Sequence, residues 1–379
     1  MSIIETPLQL QHLALKNRVI RSAVHSFLAG EDGYMTAAEY AMYETLAENN
    51  LGTIISGHCC VDPLGRANPE QVNIYADSFT DQFRKAVAIA HAHDARFIAQ
   101  INHAGPRAID NEDLADVVAR PLKKGRHARA LTVEEIHHIE QCFIAAAKRL
   151  QSAGCDGVQL HAAHSYLLSR FIDPTFNQRE DAYGGTIENR FRMVEEIIRG
   201  IHGACGKDFP VLIKVNVDTK AEDAEGYHRD MVWLLQRAKE LGLELVEFSG
   251  VDFINLPKTA TLYYLPQVKR LRAEVPDMPL SLVGGVRSLA DMEAVIKAGI
   301  ECVSLGRSLI AEPDFVTKEL AGGEKSICVS CCRTCTPASA ASGPGKKSAR
   351  ARNRPLRRLP RKNENTLKII SLLYKLTII

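Results

Sequence analysis

The chain has 379 residues, 46% of them hydrophobic and 24% charged, so it can bury a large core. This length exceeds that of most single domains and is normal for an α/β barrel with insertions. The net charge of +2 provides no general argument for nucleic acid or an anionic membrane as a partner. No apolar run is long enough to span a bilayer, and the first residues lack a basic and then apolar leader, which predicts a cytoplasmic protein.

Short apolar, β-branched runs alternate with amphipathic helical patterns up to about residue 306. This alternation predicts a parallel sheet covered by helices, and eight such units favour a closed (β/α)₈ TIM barrel over an open doubly wound sheet. The predicted strands are Arg18–Ala23, Thr53–Gly57, Arg96–Ile101, Gly157–His161, Val211–Val215, Leu245–Ser249, Leu280–Gly284 and Cys302–Gly306. The clearest helical patterns are Thr80–Ala92, Val133–Ser152, Ile187–His202, Arg229–Leu241 and Leu289–Ala298.

A sharp change in composition marks a boundary near residue 336. Residues 336–379 carry eleven Lys or Arg and one acid, Glu364, whereas the preceding residues carry 36 basic and 44 acidic side chains. We therefore divide the chain into a barrel domain, residues 1–335, and an atypical basic tail, residues 336–379, which we expect to be disordered. A reading-frame change or truncation accounts for such a tail more simply than a nucleic-acid-binding arm, so no nucleic acid is expected as a partner.

In a TIM barrel the chemistry is located at the carboxyl ends of the strands, and the loops after strands 7 and 8 commonly bind phosphate. Here those loops contain Gly284 and Gly285, and then Gly306 and Arg307. Glycines let backbone N–H groups approach an anion, Arg binds phosphate in a bidentate manner, and Ser288 or Ser308 is suited to cap a following helix. The pattern predicts a phosphorylated substrate or a cofactor such as FMN, while two tight turns with a surface arginine are the structural alternative.

A second group of polar residues, His161, His164 and Tyr166, ends predicted strand 4. Two imidazoles three residues apart can donate hydrogen bonds to one carbonyl or phenolate oxygen, and the tyrosine can deliver a proton. A metal site is the weaker interpretation, because no carboxylate or further His at ligand spacing lies nearby.

Lys214 ends strand 5, where a buried ammonium group is costly unless it is paired. It suits a Schiff-base lysine of an aldolase, a fixed cation beside an anionic cofactor or oxyanion, or a simple salt bridge. Gln100 ends strand 3 and can both donate and accept hydrogen bonds at the edge of a heterocycle.

Taken together, five motifs resemble the old yellow enzyme family, within the broader NADH:flavin oxidoreductase and 2,4-dienoyl-CoA reductase group. The resemblance covers about residues 5–335. The motifs are Leu15–Val19 (LKNRV), Gln100–Gly105 (QINHAG), His161–Leu168 (HAAHSYLL), Arg179–Arg190 (REDAYGGTIENR), and Gly284–Arg287 (GGVR) with Leu305–Arg307 (LGR). No single motif is decisive, but their order along the chain is specific.

The resemblance implies an FMN-dependent ene-reductase that takes hydride from NAD(P)H and reduces activated C=C bonds in a ping-pong cycle. Ala23, Val24, His25 and Gly57 would line the flavin ring, Gln100 would bind its pyrimidine edge, and Lys214 would stabilise the reduced anionic flavin. Gly284, Gly285, Gly306 and Arg307 would hold the FMN phosphate. His161 and His164 would hold the carbonyl oxygen of an enone or enoyl substrate, and Tyr166 would be the proton donor. A homo-oligomer is compatible with this resemblance, and Ser165 departs from the glycine that the family usually has.

The ten cysteines do not form a disulfide framework: six are scattered, and four lie between residues 328 and 335. Cys328, Cys331 and Cys335 resemble the start of the [4Fe–4S] site in dienoyl-CoA reductase-like members of the family, with Cys332 next to the second of them. No cysteine follows Cys335, although such members have a fourth ligand about a dozen residues later. A dienoyl-CoA reductase-like enzyme with an incomplete Fe–S segment is thus one alternative function, and a Schiff-base aldolase using Lys214 is the other.

Overall fold

The computed structural model describes residues 1–108, 111–251, 256 and 260–328, and these residues form the predicted closed barrel. Each barrel strand pairs in parallel with the next, and the last pairs with the first through Val303 and Val19. The strands are β1 (Val19–Arg21), β2 (Thr53–Ile55), β3 (Arg96–Asn102), β4 (Gly157–Ala162), β5 (Val211–Asn216), β6 (Leu245–Ser249), β7 (Leu280–Val283) and β8 (Cys302–Leu305). All eight predicted strands are therefore confirmed, with ends that differ by at most two residues.

Helices cover the outside of the barrel, as the amphipathic patterns predict. They are α1 (Ala37–Ala47), α2 (Thr80–His91), α3 (Val133–Ser152), α4 (Leu167–Ile172), α5 (Ile187–Cys205), α6 (Ala224–Glu240), α7 (Leu265–Glu274), α8 (Leu289–Lys297), α9 (Arg307–Ala311) and α10 (Phe315–Leu320). Helix α3 begins with a capping box in which Thr132 and Glu135 satisfy each other's backbone N–H groups. No helix in the described part of the chain is long and apolar enough to cross a membrane.

An antiparallel hairpin closes the amino-terminal end of the barrel. Residues Leu8–Gln9 pair with Ala14–Leu15, and the hairpin buries leucine side chains against the apolar lower layer of the barrel. That cluster comprises Leu10, Leu13, Leu15, Ile20, Ile55, Ile98, Leu212, Leu245 and Cys302. The hairpin and this apolar layer occupy the amino end of the barrel, so the chemistry is expected at the opposite, carboxyl end.

The clearest helical patterns of the sequence do not include α1, α4, α7 or α10, and they place the start of α6 five residues too late. The residues of α1 are apolar on several sides because the helix packs against both α2 and β2, which removes the one-sided stripe that reveals a surface helix. Helix α6 begins at Ala224 because the Asp223 side chain accepts a hydrogen bond from the N–H of Gly226.

Candidate active site

Apart from the three cysteines, the predicted site residues lie in the carboxyl-terminal half of the barrel strands or in the loops that follow them. Ala23, Val24 and His25 follow β1, and Gly57 follows β2. The others lie at the ends of β3, β4, β5, β7 and β8: Gln100, His161, His164, Tyr166, Lys214, Gly284, Gly285, Gly306 and Arg307. This arrangement follows from the parallel order of the strands, which places all their carboxyl ends at the same rim.

The two imidazoles and the phenol after β4 form a compact aromatic group. The ring of His161 lies 5.3 Å from that of His164 and 4.9 Å from that of Tyr166, measured between centroids. His164 Nε2 lies 2.8 Å from the Ser249 hydroxyl at the end of β6. Nδ1 of His161 is buried and has no hydrogen-bond partner among the described residues, so it is available to a ligand.

Both imidazoles are neutral at physiological pH. Burial, followed by the charges of neighbouring groups that include Lys214 and Arg107, holds the pKa of His161 well below its usual value. Burial, and then the same two cations, lowers the pKa of His164 well below its usual value. A neutral imidazole carries one N–H and can donate a hydrogen bond to a carbonyl oxygen without titrating near pH 7.

The phenol of Tyr166 lies between groups that have opposite effects on it. Burial raises its pKa, whereas the nearby Arg107 lowers it. The Arg107 guanidinium lies 4.9 Å from the centre of the phenol ring and donates a 2.6 Å hydrogen bond to the His164 backbone carbonyl. Arg107 therefore supports the β4 loop and the tyrosine at once, a role that no motif in the sequence indicated.

His58, one residue beyond Gly57, also belongs to this site and was missed by the sequence analysis. It is buried, its Nε2 lies 3.3 Å from the Tyr166 hydroxyl, and its ring lies 4.8 Å from that of His25. The available signal was a histidine directly after an apolar strand of a predicted barrel, the same kind of signal that identified His161.

A buried chain of polar side chains crosses the interior of the barrel below the imidazoles. Gln100 Nε2 donates a 2.7 Å hydrogen bond to Gln159, and Gln159 Nε2 donates a 2.8 Å hydrogen bond to Glu247. Lys214 Nζ lies 3.5 Å from Glu247 and donates a 2.7 Å hydrogen bond to the Ser22 hydroxyl. In this structure the Gln100 amide thus faces into the barrel, where it is part of the chain.

The contacts of Lys214 with Glu247 and Ser22 bear on its role. Burial lowers the pKa of its ammonium group, and the carboxylate of Glu247 opposes that effect. A lysine held by a carboxylate and a hydroxyl is suited to remain a fixed cation, whereas a Schiff-base lysine needs an amine that is free to attack. The geometry therefore favours the fixed cation over the aldolase lysine.

The ends of β7 and β8 have the backbone of an anion site. Gly284 and Gly285 have φ values of 152° and 73°, the region that favours glycine. A Cβ on Gly306 would lie 3.8 Å from the Val24 side chain, an ordinary packing distance, so Gly306 lies beside the loop that follows β1. Arg307 donates a 2.5 Å hydrogen bond to the hydroxyl of Tyr263, whose ring rests on the glycine turn.

Helix α8 begins as the sequence analysis proposed, and α9 does not. Ser288 caps α8 by accepting a hydrogen bond from the N–H of Asp291. Ser308 instead lies inside α9 and donates its hydroxyl proton to the Val286 carbonyl at 2.7 Å. Of the two candidate caps, only Ser288 has that role, and Ser308 ties the β7 loop to the β8 loop.

These features fit a flavin mononucleotide. Gly57 lets the backbone after β2 approach that after β1, since an added Cβ would lie 3.0 Å from the Val24 carbonyl oxygen. The positive-φ glycines after β7, Arg307 and the buried cation of Lys214 form a donor set of the kind that an anionic heterocycle with a phosphate binds.

Most of the cysteine cluster lies outside the residues that the structure describes. Cys328 is partly buried, and its N–H donates to the Ser326 hydroxyl at 3.2 Å. Cys331 and Cys335 lie outside the described residues, as does the tail, residues 336–379. The iron–sulfur interpretation and the tail boundary therefore stay predictions from sequence.

A model of the NADH:flavin oxidoreductase / NADH oxidase family matches residues 4–325 of the chain. NADH oxidase of Thermoanaerobacter brockii is 30% identical over 338 residues, which cover 84% of this chain and 51% of the relative. NADPH dehydrogenase of Halalkalibacterium halodurans is 30% identical over 312 residues, which cover 81% of this chain and 88% of the relative. The chain thus spans about half the length of the first relative and most of the second.

Solved structures share the barrel. A complex of 2-naphthoyl-CoA reductase with 2-naphthoyl-CoA has a TM-score of 0.80 at 21% identity, covering 88% of this chain and 54% of that one. Morphinone reductase in complex with tetrahydroNAD has a TM-score of 0.72 at 24% identity, covering 85% of this chain and 92% of that one. At these identities the likeness establishes the fold.

Proposed function

The chain belongs to the NADH:flavin oxidoreductase / NADH oxidase family and is an oxidoreductase, and on that premise we propose that it is an FMN-dependent ene-reductase. It would use NAD(P)H to reduce the C=C bond of α,β-unsaturated carbonyl compounds. The observation that carries this proposal is the group formed by His161, His164 and Tyr166 beside the buried cation of Lys214.

Each residue then has a role that its surroundings support. Bound FMN would supply the hydride chemistry that links NAD(P)H oxidation to reduction of the substrate's β-carbon in a ping-pong cycle. His161 and His164, both neutral, hold the substrate's carbonyl oxygen and stabilise the negative charge that develops on it. Tyr166 supplies the proton that the α-carbon requires.

The remaining predicted residues would hold the cofactor. The turn after β7, with Gly284 and Gly285, and Gly306 with Arg307 after β8 would bind the phosphate. Lys214 would lie at the electron-rich edge of the ring, and the β1 and β2 loops would line it with Ala23, Val24, His25 and Gly57. Gln100 would bind the pyrimidine edge, which requires its amide to turn from Gln159.

The first test is a visible absorbance spectrum of the purified full-length protein, before and after anaerobic NADPH, followed by cyclohexenone. We expect flavin bands that bleach with NADPH and return with the enone. An additional broad brown absorbance would support an iron–sulfur cluster on Cys328, Cys331 and Cys335. A folded protein that stays colourless and cannot be reconstituted with FMN would disprove the proposal.

A further inference from the structure

His58 contacts the proposed proton donor and has a second partner that restricts its protonation. Its Nε2 lies 3.3 Å from the Tyr166 hydroxyl oxygen, and its Nδ1 lies 2.7 Å from Nε2 of the Gln71 amide. Both His58 and Gln71 are buried, so these contacts are not exchanged freely for water.

The orientation of the Gln71 amide is determined by its other contacts. Its oxygen accepts a 2.7 Å hydrogen bond from the Ala67 backbone N–H, which can only donate. Its nitrogen also lies 3.1 Å from the backbone carbonyl oxygen of His58, which can only accept. The amide nitrogen of Gln71 must therefore be the atom beside His58 Nδ1; it can only donate, so His58 Nδ1 must accept.

The contact with Gln71 and the low pKa of the ring together determine the tautomer of His58. Burial, and then the charges of His25, Arg107 and His164, holds its pKa well below the usual value, so the ring is neutral in the working range. A neutral imidazole whose Nδ1 accepts carries its one proton on Nε2, and this N–H is directed at the Tyr166 hydroxyl oxygen. The phenol oxygen thus accepts from His58, and its own proton must point elsewhere.

We propose that His58 is a positioning residue for Tyr166: held in one tautomer by Gln71, it directs the phenol proton toward the substrate and stabilises the phenolate left behind. The inference rests on the proposed ene-reductase function. During protonation the O–H bond of Tyr166 breaks and a C–H bond forms at the α-carbon. The negative charge moves from the enolate to the phenol oxygen, where the His58 N–H bonds it, and a solvent proton later restores the phenol.

Separate stopped-flow measurement of the two half-reactions tests the enzymatic part. His58→Leu removes the donor, and we expect reoxidation of the reduced enzyme by cyclohexenone to slow about 10- to 100-fold, the range for a hydrogen bond to a developing charge. Reduction by NADPH should change less than about twofold, because that step needs no proton from Tyr166. His58→Gln keeps an N–H near the Nε2 position and should recover most of the rate, whereas Gln71→Leu should give an intermediate loss.

The control is His127→Leu, an exposed histidine on the short strand His127–Ala130, which should leave both half-reactions unchanged. Equal slowing of both half-reactions in His58→Leu would indicate general damage to the site and overturn the proposal. So would an unchanged reoxidation rate, or a His58→Gln variant no faster than His58→Leu.

Nitrogen NMR of the ¹⁵N-histidine-labelled protein tests the tautomer without any turnover. We expect His58, assigned by its loss in His58→Gln, to show a protonated Nε2 and an unprotonated Nδ1 between pH 6 and 8. A proton on Nδ1 would overturn the inference even if the enzyme reduces enones. Failure of the wild-type protein to bleach and recover would instead disprove the ene-reductase function, so the two failures can be told apart.

Discussion

The turn that follows β4 stores backbone strain in two consecutive residues. His164 and Ser165 have φ values of 60° and 61°, the left-handed region that a side chain disfavours. The resemblance noted from sequence places glycine at Ser165 in the family, and the left-handed conformation is a physical reason for that preference. This protein accepts a cost of about 1 kcal/mol at Ser165.

Replacing Ser165 with glycine should therefore stabilise the protein, by up to about 0.5 kcal/mol once the greater flexibility of unfolded glycine is subtracted. Urea unfolding of wild type and Ser165→Gly measures the difference. Ser152→Gly, at the end of α3, is the matched control and should destabilise by a similar amount, because there glycine relieves no strain. A Ser165→Gly variant no more stable than wild type would contradict the expectation.

Lys214 is the residue whose role most separates the proposed function from an aldolase. Because its ammonium group is buried and paired with Glu247, sodium borohydride with an aldehyde or ketone substrate should not attach that substrate to Lys214. Lys214→Met should also make the flavin midpoint potential more negative by on the order of 30 mV, the equivalent of one interaction of about 1.4 kcal/mol.

Peptide mapping after borohydride and potentiometric titration of the bound flavin are the two measurements. The double variant Lys214→Met with Glu247→Gln is the control, because it removes the buried carboxylate that the single variant leaves unpaired. A borohydride-stable adduct on Lys214 would favour the aldolase instead.

Much of the site could be predicted from sequence because strand ends in a parallel barrel share one rim, so polar residues after apolar runs converge. The contacts among these residues could not be predicted. His58 meets Tyr166 across 108 residues of chain, and Gln159 meets Glu247 across 88. Such pairs depend on which barrel strands are neighbours and on the direction of each side chain, and local patterns contain neither.

At the scale of single elements, α1 carries a buried acid that makes stability depend on pH. Glu39 is fully buried in the first turn of α1, and its side chain accepts hydrogen bonds from the hydroxyls of Ser26 and Tyr43. Burial raises its pKa to about 7. Ionisation of this carboxyl is therefore unfavourable in the folded protein, and the strand–helix connection after β1 is weakened at high pH.

The direction of the pH dependence follows from the difference between the folded and unfolded pKa values of Glu39. The folded pKa of Glu39 lies above its unfolded value of 4.5, so its stabilising contribution is complete below pH 4.5 and is lost as pH rises through about 7. Relative to Glu39→Gln, the wild-type unfolding free energy should fall by about 3 kcal/mol between pH 4.5 and 8. Urea unfolding at several pH values measures this difference. Glu44→Gln, on the exposed side of α1, should show no such trend, and a pH-independent difference for Glu39→Gln would refute the raised pKa.

Helices with one strong amphipathic period are predicted well from sequence, whereas helices that are buried by several neighbouring elements are not. Helix α3 was predicted with both ends correct because its capping box and its amphipathic stripe agree. Helix α4, six residues long and entirely buried, has no polar face to produce a period. Helix α7 begins at Leu265 with Pro266 in its first turn and buries two of its ten residues, Val268 and Leu271, so its apolar stripe is too short to show a clear period.

At the scale of the whole molecule, we propose that residues 336–379 form no part of the barrel. All eight strands end by Leu305, and the described residues already provide a closed sheet, its helices and its amino-terminal hairpin. A protein ending at Cys335 should unfold within a few degrees of the full-length chain and keep any bound flavin. Its net charge should change from +2 to −8, which ion-exchange elution reports.

Thermal unfolding followed by circular dichroism makes the comparison, and Leu13→Ala is the positive control. Leu13 is buried in the hairpin cluster, so its truncation should cost about 2–5 kcal/mol. A shortened chain that loses as much stability as Leu13→Ala would show that the tail supports the fold.

The pairing of β8 with β1 also sets a condition on how the protein is made. Val19 meets Val303, so a ribosome must release nearly the whole barrel before its first strand finds its second neighbour. Until then β1 presents an unpaired edge, and a nascent chain halted anywhere before β8 would expose that edge together with the edge of its last strand. An incomplete barrel with unpaired strand edges is therefore present during every round of synthesis. Chains interrupted before residue 305 should aggregate or be degraded rather than form a smaller working enzyme.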